Sequence, residues 1–149
     1  MDAHRLPSVA DPAATRLGWI GVGVMGRAMA GRLLDAGFRL TLSSRRRESA
    51  QELLARGAAW ADSPRAVAAA SDVVFTMVGY PADVRDVVLG PEGALAGMRA
   101  GGILVDHTTS APELAEEIAA AARRRGVAAL DAPVSGGDRG AREGTLTMM

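Results

Sequence analysis

LGWIGVGVMGRAMAGRLLDAG, residues 17–37, changes its periodicity partway along. "LGWIGV" (Leu17 to Val22) is an almost unbroken apolar run, the pattern of a strand covered on both faces. From Met25 onward the period lengthens. Met25, Met29, Leu33 and Leu34 fall on one stripe of a helix, and Gly37 supplies its stop. Between the two periods lie Gly21, Gly23 and Gly26, spaced G-x-G-x-x-G. The spacing alone is weak in a chain with 18 glycines. It gains weight because it leaves a strand and opens a helix. Gly21 permits a tight turn, Gly23 lets backbone approach a ligand, and Gly26 lets helix and strand pack closely. The helix N-terminus that opens between Val22 and Arg27, Val24 and Met25 included, supplies free N–H donors and a positive dipole end. That arrangement suits a pyrophosphate. The stretch therefore reads as the cradle of a dinucleotide.

The same alternation continues outward. "FRLTLS" (Phe38 to Ser43) reads as a second strand and "ESAQELLARG" as a helix ending at Gly57. "AAW" reads as a brief third strand. In "SPRAVAAAS", Ser63 is placed as a cap and Pro64 as the first helical residue. "DVVFTMV" (Asp72 to Val78), "GILVD" (Gly102 to Asp106) and "VAALDA" (Val127 to Ala132) read as three more strands. Helical "PADVRDVVLG" and "SAPELAEEIAAAARRRG" lie between them. The latter carries a capping-box pattern at Ser110 and Glu113, and Arg123, Arg124 and Arg125 at its negative end. Such alternation predicts an α/β fold with a doubly wound, mainly parallel sheet, whose ligands sit beyond the carboxyl ends of the strands. Residues 1–16 have no periodicity and read as a mobile tail. Residues 17–149 read as one domain, with "GTLTMM" opening a seventh strand.

Composition narrows the function classes. The 149 residues are 48% hydrophobic and 23% charged, as in ordinary globular chains, and the formal net charge is 0. No broad field favours nucleic acid or an anionic membrane. There is no cysteine, hence no disulfide or thiolate chemistry. The opening residues lack a signal-peptide core and no stretch is long enough to span a bilayer, so the cytoplasm is the default expectation. No metal is expected. All 17 basic residues are arginine, so any step that needs a lysine must draw on other residues.

The second strand bears on which dinucleotide is used. An NAD-binding unit usually carries Asp or Glu there, about 20 residues on, to bond the ribose 2′-hydroxyl. Here the strand ends in Ser43, Ser44 and Arg45. A guanidinium grips a 2′-phosphate that a carboxylate would repel. A charge-assisted bond of ~1.5–3 kcal/mol corresponds to roughly tenfold to hundredfold preference for NADP, with NAD as the alternative. Arg45 is the first candidate and Arg46 the second; Arg47 is expected to face solvent.

"GWIGVGVMGRAMAGRLLDAGFRLTLSSR", "VVFTMVGYPADVRDVVLGPEGAL", "ILVDHTTSAPELAEEI" and "LDAPVSGGDRGAREGTLT" together, in this order, resemble the β-hydroxyacid dehydrogenases. That family includes 3-hydroxyisobutyrate dehydrogenase and 2-hydroxy-3-oxopropionate reductase and is related to 6-phosphogluconate dehydrogenase. The resemblance runs from about Leu17 to Met149. It implies a Rossmann domain that binds NADP beside a small carboxylate substrate, and hydride transfer between the cofactor and a 3-hydroxy acid or its semialdehyde. It assigns Ser44 and Arg45 to the cofactor ribose, with Ser in place of the more usual Asn. It assigns Met77 to the backbone passing the cofactor, and Thr109 to a cofactor-contacting hydroxyl. Ser135, Gly136 and Gly137 correspond to the family's substrate motif.

Hydride reduction of an aldehyde creates an alkoxide that needs a proton. In the family a lysine beyond the Ser-Gly-Gly motif provides it. Its position falls past Met149, and an all-helical C-terminal domain and a homo-oligomer are implied with it. These residues are therefore expected to be a cofactor-binding half, inactive alone. A stand-alone NADP-binding module is an alternative, as is an imine-reducing enzyme that shares this half. A third possibility is catalysis within these residues by His107 or Tyr80, both of which follow strands. His4 receives no role.

Overall fold

The computed structural model describes residues 10–149. The tail read over residues 1–16 lies outside the described residues as far as position 9. Beyond it, Asp11 and Thr15 close a turn (Thr15 N–H to Asp11 O, 2.7 Å). Arg16 already belongs to the first strand.

In chain order the elements are β1 (Arg16–Ile20), α1 (Val24–Asp35), β2 (Arg39–Ser43), a 3-10 turn (Arg47–Ala50) running into α2 (Gln51–Ala55), β3 (Ala59–Trp60) and α3 (Pro64–Ala69). There follow β4 (Val73–Thr76), α4 (Pro81–Leu89), α5 (Ala94–Gly97), β5 (Ile103–Asp106), α6 (Pro112–Arg124) and β6 (Ala128–Asp131). The last three are β7 (Val134–Ser135), α7 (Gly137–Glu143) and β8 (Thr147–Met148). β3-β2-β1-β4-β5-β6 form one six-stranded sheet, and every pairing within it is parallel. Chain order reverses between β1 and β4, so the crevice between their ends is the expected ligand position.

The two faces bury separate cores, which is what makes the sheet doubly wound. Leu17, Trp19, Leu40 and Leu42 point to one side and pack with Met29 and Ala30 of α1 and Leu53 of α2. Ile20, Val74 and Leu104 point to the other, against Val67, Val84, Val88, Leu95, Leu114 and Ile118. Leu114, Ile118 and Ala122 are the buried stripe of α6 at i, i+4 and i+8. Trp19, 1% exposed, is the largest fully buried side chain. It stacks on Phe75 at 5.5 Å. Truncating such a ring costs about 3–5 kcal/mol.

At the amino-terminal edge of the sheet Arg16 holds Asp72 with both Nε and Nη2 (3.2 and 2.8 Å), clamping β1 to β4. The Arg16 hydrogen bonds hold the Asp72 carboxyl down to about 2. Ser63 caps α3, its Oγ accepting from Ala66 N–H at 3.1 Å, and Gly37 ends the α1 turn with φ +89°.

Two expectations are corrected. Ser110 and Glu113 do not form a capping box: α6 starts one residue later, after Ala111, and the Ser110 hydroxyl is buried without a partner. Pro112 at the first helical position sets the start instead. "GTLTMM" does not open a seventh strand of the main sheet. Thr147 and Met148 turn back antiparallel onto Val134 and Ser135, forming a separate two-stranded ribbon. Gly136 and Gly144, at φ +131° and +71°, bring the chain around α7 to do so. The expected sixth strand is present as β6 at the sheet edge, where Leu130 is 58% exposed.

Candidate dinucleotide site

The three loop glycines are separated by what surrounds them. Gly21 has φ +98°, and a side chain there would strike the Met77 carbonyl. One at Gly26 would strike the Gly21 carbonyl and come within 3.0 Å of Trp19 Nε1, which itself donates to that carbonyl at 3.0 Å. These two positions close the turn between β1 and α1. Gly23 differs: its backbone is ordinary (φ −87°, ψ −162°), and a Cβ would meet nothing within 4 Å. It faces an open cradle. Arg27 N–H makes the first backbone bond back to Gly23 O (2.9 Å), so the N–H groups of Val24, Met25 and Gly26 precede the helical ladder. No acid sits in this first turn to oppose an anion.

Around the cradle is a cavity of about 870 Å³. Gly21, Gly23, Val24, Met25, Gly26, Ser44, Arg45 and Met77 all line it. It lies at the carboxyl ends of β1, β2 and β4, where the chain order reverses. Its volume is of the size that small-molecule and cofactor sites occupy. The end of β2 is tied to the loop twice: Gly21 N–H donates to Ser43 O (2.9 Å) and Val22 N–H to Ser44 Oγ (3.1 Å). Ser44 therefore holds the loop, a task not assigned to it from sequence. Arg45 and Arg46 both line the cavity, whereas Arg47 lies over the Trp60 ring at 5.4 Å rather than in solvent alone.

Four residues singled out from sequence lie elsewhere. Thr109 is exposed and outside the cavity; its neighbour Thr108 is buried, and Thr108 Oγ1 accepts from Val78 N–H at 3.0 Å. Asp106 Oδ1 receives the Thr76 hydroxyl (2.7 Å) and Thr108 N–H (3.0 Å). This buried chain of bonds fixes the Met77–Val78 backbone that forms the cavity wall. Ser135, Gly136 and Gly137 are exposed and do not line the cavity. Gly137 instead begins α7, which packs on α1 and is held there by Arg32 Nη1 donating to Arg142 O (3.1 Å).

The structure also removes His107 as a proton donor. It is 4% exposed, Nδ1 lies 2.8 Å from Ala132 O, and the ring stacks on Phe75 and Trp19. It is a satisfied core residue. Tyr80, 73% exposed, stands at the cavity rim.

Sequence reasoning missed Asp83. Its Oδ2 accepts from Tyr80 N–H at 3.0 Å, capping α4, while its Oδ1 is ion-paired with Arg45 across the cavity. The signal was present in "YPAD", with Pro at the first helical position and an acid two residues later. At the exposed Asp131, desolvation and then nearby Asp106 raise the carboxyl from its ordinary value.

A six-stranded parallel sheet with this strand order, and a glycine cradle at its switch point, define a Rossmann-type nucleotide-binding domain. Residues 16–149 match the family described as the NAD binding domain of 6-phosphogluconate dehydrogenase, and the chain belongs to that family. Over 141 residues, 94% of its length, it is 56% identical to probable 3-hydroxyisobutyrate dehydrogenase-like 1, mitochondrial, of Arabidopsis thaliana. It spans 42% of that relative. Among solved structures it is similar to Mycobacterium tuberculosis 3-hydroxyisobutyrate dehydrogenase with L-serine (TM-score 0.84, 33% identity, 91% of this chain and 45% of that one). It is also similar to Psf3 in complex with NADP+ and 2-OPP (TM-score 0.84, 38% identity, 89% and 47%). The chain thus spans about half the length of the proteins it matches. No helix among the described residues is long and apolar enough to cross a membrane.

Proposed function

We propose that these residues are the NADP(H)-binding half of an oxidoreductase that moves hydride between the cofactor and a small 3-hydroxy acid or its semialdehyde. The observation that carries this reading is the Gly23 cradle opening into one cavity with Arg45. A side chain at position 23 would fill the space a pyrophosphate needs, and a guanidinium lines the same space where a 2′-phosphate would lie. NADP(H), when bound, supplies the hydride. The chain's own residues bind and orient it: N–H groups of Val24 to Gly26 at the diphosphate, Arg45 at the 2′-phosphate, with Arg46 as second cation. The Met77–Val78 backbone forms the wall.

Dehydrogenases among the relatives support the reaction class, and a relative solved with NADP+ supports the cofactor. The carboxylate substrate is assigned to Ser135, Gly136 and Gly137 and an adjacent cofactor contact to Thr109, all near the carboxyl ends of β5 and β6. The compartment in this reading is the cytoplasm. The proton needed by the alkoxide comes from a lysine outside these 149 residues, which contain none, and the whole protein is a homo-oligomer.

The test has two parts. Purified chain is titrated with NADPH, then mixed with NADPH and small 3-oxo acids or semialdehydes while NADPH absorbance is followed. Saturable binding without turnover is expected. Turnover by this chain, lost on Tyr80→Phe, would place the proton donor within it and overturn the division of labour.

A further inference from the structure

Arg45 has a carboxylate partner already in place. Its guanidinium reaches from the end of β2 to Asp83 on the first turn of α4, spanning the mouth of the cavity. The Arg45 side chain is 80% exposed and that of Asp83 18%, so the acid is the fixed member. Asp83 is held by the Tyr80 N–H bond that caps α4. Two more carboxylates, Asp62 and Asp86, line the same cavity. Asp62 is turned toward Trp60, whose Nε1 donates to it at 2.8 Å. Two guanidiniums, Arg45 and Arg46, thus share this space with three carboxylates. The adenosine end is less electropositive than the "SSRRR" sequence suggests.

Building on the cofactor site described above, we propose that Asp83 is a specificity-determining residue that competes with a 2′-phosphate for Arg45 and so narrows the preference for NADP over NAD. NADH carries a ribose 2′-hydroxyl and leaves the Arg45–Asp83 pair intact. NADPH brings a near-dianionic phosphate, which needs the same guanidinium and approaches a carboxylate of like sign. Binding it means giving up the pair or accepting the repulsion. NADH meets neither cost. An acid on the second strand is the usual way to favour NAD. Here the acid comes from α4 and acts on the arginine rather than on the ribose.

Asp83→Asn separates the charge from the cap, because the amide oxygen still accepts from Tyr80 N–H. Calorimetric titration of the wild-type chain, Asp83→Asn, Arg45→Ala and the double variant with NADPH and NADH is the test. Thermal melts confirm that each variant is folded. Asp83→Asn is expected to bind NADPH about fivefold tighter, as for losing one partly exposed ion pair, with NADH changed less than about twofold. In the Arg45→Ala background the gain should shrink to less than about twofold, since no guanidinium remains to be released. Weaker NADPH binding by Asp83→Asn would make Asp83 a support for Arg45 and overturn the proposal. Equal gains for both nucleotides, or an undiminished gain without Arg45, would also overturn it while leaving the cofactor site standing. Failure of the folded wild-type chain to bind either nucleotide would remove both.

Discussion

The chain has two glycine-rich segments, residues 21–26 at the carboxyl edge of its sheet and 136–144 against α1, and they are built differently. In the first, two glycines are forced by backbone contacts and the third is left over: Gly21 and Gly26 abut carbonyls, and Gly23 abuts nothing. In the second, Gly136 and Gly144 serve the path of the chain. A Cβ at Gly136 would come 3.1 Å from Leu146, and one at Gly144 would press on the Arg32 guanidinium, while Ser135 and Gly137 face outward. One segment encloses a cavity together with β2, β4 and α4. The other packs α7 onto α1, and none of its residues lines that cavity. A Cβ at Gly137 would also meet nothing, but its φ of +62° calls for glycine, whereas at Gly23 neither packing nor backbone angles do.

Substitutions can break that contrast. The largest effect is expected at Gly26→Val, which drives a side chain into the Gly21 carbonyl and the Trp19 indole. About 3 kcal/mol of stability should be lost, lowering the melting temperature by roughly 6–12 °C, and dinucleotide binding should go with it. Gly23→Val is expected to separate the two properties. NADPH affinity should fall about a hundredfold or more because the cradle is filled, while the melting temperature moves by less than about 3 °C. A comparable thermal loss in both variants would mean that Gly23 is structural too.

Arg45→Ala comes next. NADPH affinity should drop about tenfold or more and NADH affinity less than about threefold, read by parallel titrations. Equal losses would remove the 2′-phosphate role. Gly136→Ala should cost about 1–2 kcal/mol through its positive φ, with NADPH affinity unchanged. A selective loss of NADPH binding there would join the second segment to the first site.

The smallest effect concerns the opposite edge of the sheet. Asp72 is held below its ordinary value by Arg16, so its contribution is present above the unfolded carboxylate value near pH 4 and fades as pH falls toward about 2. Asp72→Asn should flatten the acid limb of the melting curve across that window and leave NADPH binding at neutral pH alone. The exposure of both partners keeps the effect small.

Much of this contrast could be read from residues 17–37 alone. The change from a strand period to a helix period placed β1, the loop and α1 to within two residues, because a strand buried on both faces and a helix with a buried stripe leave distinct patterns. The helix stripe itself was only half legible: Gly26, Met29, Ala30 and Gly31 are buried, and Leu33 and Leu34 only partly. Close packing onto the sheet selects small residues, which hydrophobicity underweights. The pairing of β8 with β7 was hidden, because "GTLTMM" reads as a strand but two-residue Val134–Ser135 carries no period to mark it as the partner. Asp83 was hidden for another reason. Its partner lies 38 positions away, and only the parallel crossover brings the ends of β2 and α4 together. The same holds for Thr108, whose hydroxyl reaches back 30 positions to Val78.

The most direct test is a calorimetric titration of the folded wild-type chain and of Gly23→Val with NADPH. One nucleotide per wild-type chain with saturation well below millimolar, and none for a Gly23→Val chain that melts normally, is the expected result. A folded wild-type chain that saturates with neither NADPH nor NADH at millimolar concentration, or a Gly23→Val chain that binds as tightly as wild type, would contradict it.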